Sequence, residues 1–408
     1  MLGVGSYLRA QIEEIAADAA LRLYGIALLA THVLTAIWFL TGSYSEMARA
    51  GEDAICWPLV PDCERFRLLS SGQLDLLMGG YGVAALLGMA LFARRRWTAP
   101  AWAGLALLTL LKLAVLALDF RLRLNQHYMS TAACAVFLFV PRKRASLQLM
   151  LVLFYFWAGT LKLNWEWVSG AALYKPLWLL TGPAVVAACA YVVVIELVVV
   201  WGLLARRPAV FWPCLGQVLL FHVMSFAIVG WFYPLLMFAL LAVFPLAREL
   251  PGATPESVGE QILARRLPRP ALALAGVVSL AQISTHFYPG DTAITGEGRL
   301  YALHMFDARV VCEAEATLKM PDGNTISANI EIETIRLRCD PLMIHGIARN
   351  LCRHRAAGQL EIVDLDLHLR SRRTTASEFQ QVIDYPNFCS QLPRYEPFLH
   401  NSWINPSG

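Results

Sequence analysis

Charge is what this sequence has least of. Of its 408 residues only 16% are Asp, Glu, Lys or Arg, against about a quarter in ordinary soluble domains. Long stretches carry no charge at all, which points to an integral membrane protein rather than a soluble enzyme. The net charge of +4 is dispersed, and no basic tract exists, so no nucleic-acid partner is expected. Residues 1–21 are polar, with Glu13, Glu14 and Asp18, and no short apolar core with a small-residue cleavage site follows. The first apolar segment is therefore read as a retained span. Also missing are a Gly-rich phosphate loop, a serine nucleophile elbow, a nucleotide fingerprint, an internal repeat and a low-complexity tract. No His, Asp or Glu spacing makes a metal site, so no metal is expected.

What is present is a series of apolar segments at 22–42, 75–93, 98–118, 124–140, 145–161, 184–205, 209–229, 231–247 and 270–285. A helical span needs about 20 such residues, with roughly 17–25 tolerated. The fourth, fifth, eighth and ninth are short. With nine spans, Arg94–Arg96, Arg142–Arg144, Arg206–Arg207 and Arg248 with Arg265, Arg266 and Arg269 fall on one side. That side carries about twice the Lys and Arg of the opposite short loops, which makes it cytoplasmic by the positive-inside rule. The loops 43–74, 119–123 and 162–183, and everything after 286, are then external.

Residues 286–408 change period. The alternating runs 309–319 and 325–334 flank a Met-Pro-Asp-Gly-Asn turn, 361–370 alternates again, and 341–356 reads as a helix. The expected fold is a polytopic α-helical membrane protein of about nine transmembrane helices with a C-terminal, extracytoplasmic, mostly-β domain. The organisation is a cytoplasmic segment 1–21, a transmembrane domain 22–285 and the β-rich domain 286–408. The setting is a cell inner membrane, with the N-terminus cytoplasmic and the C-terminal domain periplasmic.

Cysteines follow that topology. Cys56 and Cys63 lie in the first external loop, and Cys312, Cys339, Cys352 and Cys389 lie in the external domain. An even number on the oxidising side reads as structural disulfides, with connectivity open. The Cys56/Cys63 spacing is not Cys-x-x-Cys. Cys134, Cys189 and Cys214 fall in spans and read as small apolar residues.

Ionisable residues inside spans are costly and mark function by default. They are His32, Lys112, His127, Lys162, Glu196 and His222. Glu196, among valines and leucines, must be paired, hydrogen-bonded or protonated. Lys112 needs a partner or a snorkelling route. His127 opens the fourth span and Lys162 closes the fifth, so both are expected to face one external-leaflet pocket. A lysine at a span end beside Trp165 and Trp167 also fits a plain interfacial anchor.

The run Tyr155-Phe156, Ala158-Gly159, Lys162-Leu163, Trp167-Val168, Gly170 resembles a motif of vitamin K-dependent γ-glutamyl carboxylases, within the HTTM (horizontally transferred transmembrane) family. Asn125-Gln126-His127-Tyr128 is similar to a segment of the same enzymes. Arg22, Cys56-Trp57-Pro58-Leu59, Phe221-His222, Gly230 with Phe232, Leu300-Tyr301, Met305 and Asp322-Gly323 fall in the expected order. The resemblance implies that Lys162 is the base and His127 its assistant, with Asn125, Tyr155, Trp157, Trp165, Trp167, Glu196 and His222 around the quinone pocket. Neutral Lys162 would take a proton from reduced vitamin K, a menaquinol-type hydroquinone. With O2 this would yield a strong base that removes a glutamate γ-proton, and CO2 would add to the carbanion. The quinol arrives from the membrane lipid and the glutamate on a secreted peptide or protein. An exposed lysine is protonated at neutral pH, and apolar surroundings disfavour the charged form. Phe154, Tyr155, Phe156, Trp157, Trp165 and Trp167 would supply them.

The resemblance also implies a bond from Cys56 to a cysteine of the external domain. Glu166 stands for the family's acidic residue before Trp, and Gln126 replaces an Asn. The long C-terminal extension of the animal enzymes is missing, so propeptide recognition is expected to be absent or different. Two alternatives come from other classes. One is a non-catalytic HTTM protein in the maturation or export of a secreted peptide. The other is a quinone-linked thiol oxidoreductase using Cys56 and Cys63.

Overall fold

A backbone in lipid must satisfy its own peptide groups, and an uninterrupted apolar run does so as a helix. The computed structural model describes residues 3–173, 175–177, 180–250, 269–303, 309–332 and 337–406. Among them eight helices are long and apolar enough to cross a membrane. The main helices are α1 (Val4–Ala17), α2 (Ala19–Thr41), α3 (Ser71–Phe92), α4 (Thr98–Ala117), α5 (Asn125–Phe139), α6 (Lys143–Leu161), α7 (Trp165–Val168), α8 (Pro183–Leu197), α9 (Pro208–Val229), α10 (Phe232–Leu241), α11 (Val243–Glu249) and α12 (Arg269–Ser284). A 3-10 segment extends α8 to Leu204, and α10 with α11 make one span. Those two divide near Pro245, which has no N–H for the Leu241 carbonyl.

The expected count of nine becomes eight among the described residues, and the one that falls out is the fourth, already read as short. Helix α5 has 15 residues, about 22 Å at 1.5 Å per residue, short of a hydrocarbon core of about 30 Å. Val140 is extended, as a residue before proline prefers. The path still traverses the bundle. Tyr128 near one end of α5 donates to the Leu300 carbonyl at 3.0 Å, and the Phe139 carbonyl at the other accepts from Tyr7 at 2.7 Å.

The two ends of the bundle differ in chemistry. Residues 1–21, expected as a polar segment, form α1 and the start of α2, with Gln11 and Ile15 buried. Lys143 Nζ donates to Gln11 at 2.7 Å, and Arg144 pairs with Asp18 at 2.5 Å. Arg144 also donates to the Ala247 carbonyl, and Arg248 to the carbonyls of Ala205 and Arg206. The arginine-rich loops therefore gather at the end that holds α1.

The opposite end is a second folded unit. Strands β1 (Val310–Lys319), β2 (Thr325–Asn329), β3 (Asp364–Arg373) and β4 (Gln380–Tyr385) form one antiparallel sheet of order β2-β1-β3-β4. Helix α13 (Pro341–Ala356) packs on it, capped by Asp340, where a helix was expected. The expected strand 325–334 ends at Asn329, and residues 333–336 lie outside the described residues. The strand expected at 361–370 runs 364–373. Strand β4, six residues at a sheet edge, has too short a pattern to read.

This domain does not stand apart from the bundle. Its core takes in Ile55 from the first loop and Phe120 from the turn after α4, packed with Ile344, Leu365, Leu367 and Leu369. Buried Asp119 ties the pieces together. It accepts from the Ile55 N–H at 3.3 Å and from Arg121 at 2.8 Å, and Arg67 lies 3.9 Å away. Arg67 in turn donates to the carbonyls of Ala48, Glu52 and Met47.

The six expected cysteines form three bridges, Cys56–Cys63, Cys312–Cys339 and Cys352–Cys389. The bond from Cys56 to the external domain, implied by the resemblance, is thereby corrected: Cys63 lies seven residues on in the same loop and takes the partner's place. The loop is instead docked by Asn350 donating to Ala54, by Arg353–Glu64 at 2.5 Å and by His354–Asp53 at 2.9 Å. Cys134, Cys189 and Cys214 are free.

Two outcomes follow. Asp119→Ala leaves Arg67 buried without its carboxylate and is expected to cost about 3–5 kcal/mol, read by thermal unfolding in detergent; a change under 1 kcal/mol (~) would remove Asp119 as the tie. Asp53 and Gln359 hold the His354 imidazole above its usual value. A raised folded value contributes fully below the unfolded pKa of about 6.5 and is lost as pH rises through the folded one. Hydrogen exchange at the Asp53–Ile55 amides is thus expected to quicken from pH 6 to pH 8 (~) beyond its intrinsic rise, and not in His354→Gln.

Candidate functional site

Helix α6 ends at Lys162, its C-cap residue. The last carbonyls of a helix lack N–H partners and favour a cation. Lys162 Nζ uses that position, donating to the Ala158 carbonyl at 3.3 Å. Its main partner is Glu196, at 2.7 and 2.9 Å to the two carboxylate oxygens. Lysine and glutamate side chains are 3% and 1% exposed, so this is a buried bidentate pair. The approach depends on Gly159, where a Cβ would stand 2.9 Å from Glu196 Cβ and 2.9 Å from Leu197 Cδ2. The glycine lets α6 and α8 close up, one reason for the Ala-Gly-x-x-Lys spacing.

Trp167 covers the pair, its ring centroid 5.2 Å from Nζ, within cation–π range. Asn164 sets its place by capping α7, accepting from the Trp167 N–H at 2.9 Å, while the indole N–H donates to Cys189 at 2.9 Å. Gly170, at φ +82° against Val185, makes the tight turn that follows.

A small cavity of about 40 Å³ meets the pair, walled by Gln126, Trp167, Phe221, Ser225 and Tyr233. It shares Trp167, Leu173, Phe221, Ser225 and Ile228 with a larger cavity of about 170 Å³ between α8 and α9. Tyr191 and Leu220 on that wall are among the bundle's exposed apolar residues. The two cavities thus share one wall, the inner one against the lysine and the outer one towards the bundle's apolar surface. Gln126 is buried, and its Oε1 has no hydrogen-bond partner.

Of the expected pocket residues, Lys162, Glu196 and Trp167 line this cavity. His127 does not, which corrects the shared-pocket expectation. It packs against Trp38 and Phe232, at ring distances of 4.8 and 5.5 Å, with both ring nitrogens unpartnered. Successive helix residues point about 100° apart, so Gln126 takes the place intended for its neighbour. Tyr155 and His222 are hydrogen-bonded to each other behind the wall, and Ser225 Oγ donates to the His222 carbonyl at 2.8 Å. Trp157 faces away, donating to Ser279 at 3.1 Å. Trp165 is exposed, and Asn125, though buried, is not on the cavity wall. Reading the sequence passed over Gln126, Ser225 and Tyr233. Phe221, Ser225 and Ile228 sit at i, i+4 and i+7 of α9, a single helix face, and that spacing could have shown them.

The second buried lysine is built differently. Lys112 donates to Ser130 Oγ at 2.8 Å, and no carboxylate lies within ion-pair reach among the described residues. His32 joins Tyr81 at 2.5 Å and Cys134 at 3.5 Å. Glu196 therefore bridges to Lys162, not to Lys112 or a histidine.

No family profile matches the chain, nor does any curated protein or solved structure.

Gly159→Ala is expected to push α8 away and cost about 1–3 kcal/mol, read by thermal unfolding. Glu196→Gln is expected to cost about 3–5 kcal/mol by leaving the lysine charge alone, whereas Lys162→Met with Glu196→Leu is expected to be near neutral. Equal losses in the single and double variants would contradict a coupled pair.

Proposed function

We propose that this protein is a quinol-dependent glutamyl carboxylase of a cell inner membrane, acting on a secreted peptide, with Lys162 as its base. The observation that carries the reading is a buried lysine–carboxylate pair beside a small cavity, one wall of which is shared with a larger apolar cavity towards the bundle's outer face. A lipid-soluble quinol would enter from the bilayer there, with the peptide on the side of the disulfide-bonded domain. That the helical series is multi-pass and the disulfides fit an extracytoplasmic domain supports the setting. The orientation rests on the positive-inside count.

The chemistry of the lining suits a hydroquinone, although the cavity of about 40 Å³ at the pair must widen to admit its ring. Gln126 Oε1 lacks a donor, and a phenolic hydroxyl would supply one. Apolar walls from Leu173, Phe221 and Ile228 suit the ring. Reduced vitamin K, when bound with O2, would supply the strong base that removes the glutamate γ-proton before CO2 adds. The chain's own part is the first proton. Lys162 is ion-paired and must shed a proton before it accepts one. Glu196 Oε2, at 2.7 Å, is placed to take it, leaving a neutral amine and a neutral acid with no net charge moved into lipid. The amine then accepts the phenolic proton. Base catalysis is thus shared by the pair, and Glu196 is a proton acceptor as well as a tether. Trp167 keeps water from the amine. His127 stands one layer back, behind Gln126.

The non-catalytic alternative expects a pocket shared by Lys162 and His127 to be filled or missing; His127 does not line the cavity at Lys162, which favours that alternative, and the enzyme reading rests on the Lys162–Glu196 pair instead. The thiol alternative expects Cys56 and Cys63 close together and near a quinone site; the two are bonded to each other, as it expects, but not at the Lys162 cavity. Cys56 instead lines a separate external cleft of about 500 Å³ with Trp57, His345 and Tyr395.

Purified protein with reduced vitamin K, labelled bicarbonate and a Glu-containing peptide is expected to give labelled peptide. Lys162→Ala is expected to lower the rate by roughly 10²–10⁴-fold. Gln126→Leu is expected to raise KM for the quinol by roughly tenfold with kcat little changed. Neither label nor quinol oxidation by the parent protein would overturn the reading.

A further inference from the structure

Glu166 sits between exposed Trp165 and buried Trp167, yet its carboxylate is held from far along the chain. Arg373 Nη1 donates to it at 2.8 Å, and so does the Thr375 hydroxyl. The Glu166 side chain is 5% exposed. Arg373 is the last residue of β3, opposite Val310 at the start of β1. Its remaining donors reach Asp291, Nε at 2.5 Å and Nη2 at 2.9 Å. One guanidinium thus joins the sheet corner, the segment after α12 and the loop that follows the lysine. Burial would raise the Glu166 carboxyl, but the Thr375 hydroxyl and Arg373 hold it below its usual value. Asp291 first, and then Glu166, raise the Arg373 guanidinium above its own. The charged form of the clamp is the favoured one.

We infer that Arg373 and Glu166 are positioning residues through which the sheet domain holds Trp167 over Lys162 and keeps the amine closed to water-borne reagents from that side. Asn164 and the Cys189 carbonyl anchor Trp167 locally. The loop is fixed against the domain by the Glu166 carboxylate, with Arg309 donating to the Leu173 carbonyl at 3.4 Å as a longer second tie. A lysine cannot replace Arg373, since a single ammonium cannot present a planar fork to two carboxylates at once. The inference depends on the carboxylase reading only for any effect on turnover. The closure of Lys162 is a separate property and is tested without turnover.

The test uses the full chain in detergent with trinitrobenzenesulfonate, a charged, water-borne reagent that a neutral amine attacks at the ring carbon, displacing sulfite and losing a proton. Peptide mass spectrometry then reads the labelling of each lysine. Lys162 is expected to label slowly in the parent protein. In Arg373→Ala and in Glu166→Gln its labelling is expected to rise by about tenfold, and in the double variant no further than in either single one. Lys112, buried elsewhere in the bundle, reports general loosening and is expected to stay protected throughout. Arg373→Lys is expected to label like Arg373→Ala. An unchanged Lys162 rate, or Lys112 rising in step with Lys162, would overturn the inference.

Discussion

An ion pair buried among apolar helices is expensive. Each charge loses several kcal/mol (~) of hydration, and only close geometry with further hydrogen bonds returns it. The Lys162–Glu196 pair meets that demand with both carboxylate oxygens on one ammonium and a helix-terminal carbonyl as third acceptor. Much of the surrounding arrangement follows from it. Helix α6 must end at Lys162 so that the Ala158 carbonyl is free. Helix α8 must come close, so residue 159 must be glycine. The loop after the lysine must fold back to exclude water, which Asn164 and Gly170 allow. Deleting one charge therefore disturbs two helices and a loop, not one contact.

The pair also decides what the lysine can do. This amine has both oxygens of a carboxylate within hydrogen-bond reach, so a proton passing between the two would create no new charge. Lys112 shows the contrast. It is equally buried, yet its partner Ser130 is a hydroxyl already donating to helix carbonyls. A proton leaving Lys112 has no carboxylate at hand. Lys162 also lines a small cavity beside its carboxylate, one wall of which is shared with the larger apolar cavity.

The external end is assembled from pieces distant in sequence. Asp119, Arg67 and Ile55 fix the first loop, and the sheet core closes over Ile55 and Phe120. Because Arg373 reaches from that sheet to Glu166, the lysine site is partly a product of the domain. The loop beside the lysine is thereby tied to the sheet domain through side-chain contacts.

Much of this was legible in the residue order because it is local. Apolar runs of span length, the period-two segments 309–319 and 361–370, the helix at 341–356 and an even set of external cysteines each carry their signal within a few residues. The segment from Tyr155 to Gly170 likewise announced a lysine with special surroundings. What the order could not decide is which side chains meet. That Glu196 pairs with Lys162 and not with Lys112, that Gln126 rather than His127 faces the cavity, and that Cys56 bonds to Cys63 all depend on the rotation and approach of whole elements. One residue along a helix turns a side chain by about 100°. One glycine decides whether a neighbouring helix comes within reach. Such choices are made by packing over the whole bundle, so the identity of the lysine belongs to the sequence and its partner to the tertiary structure.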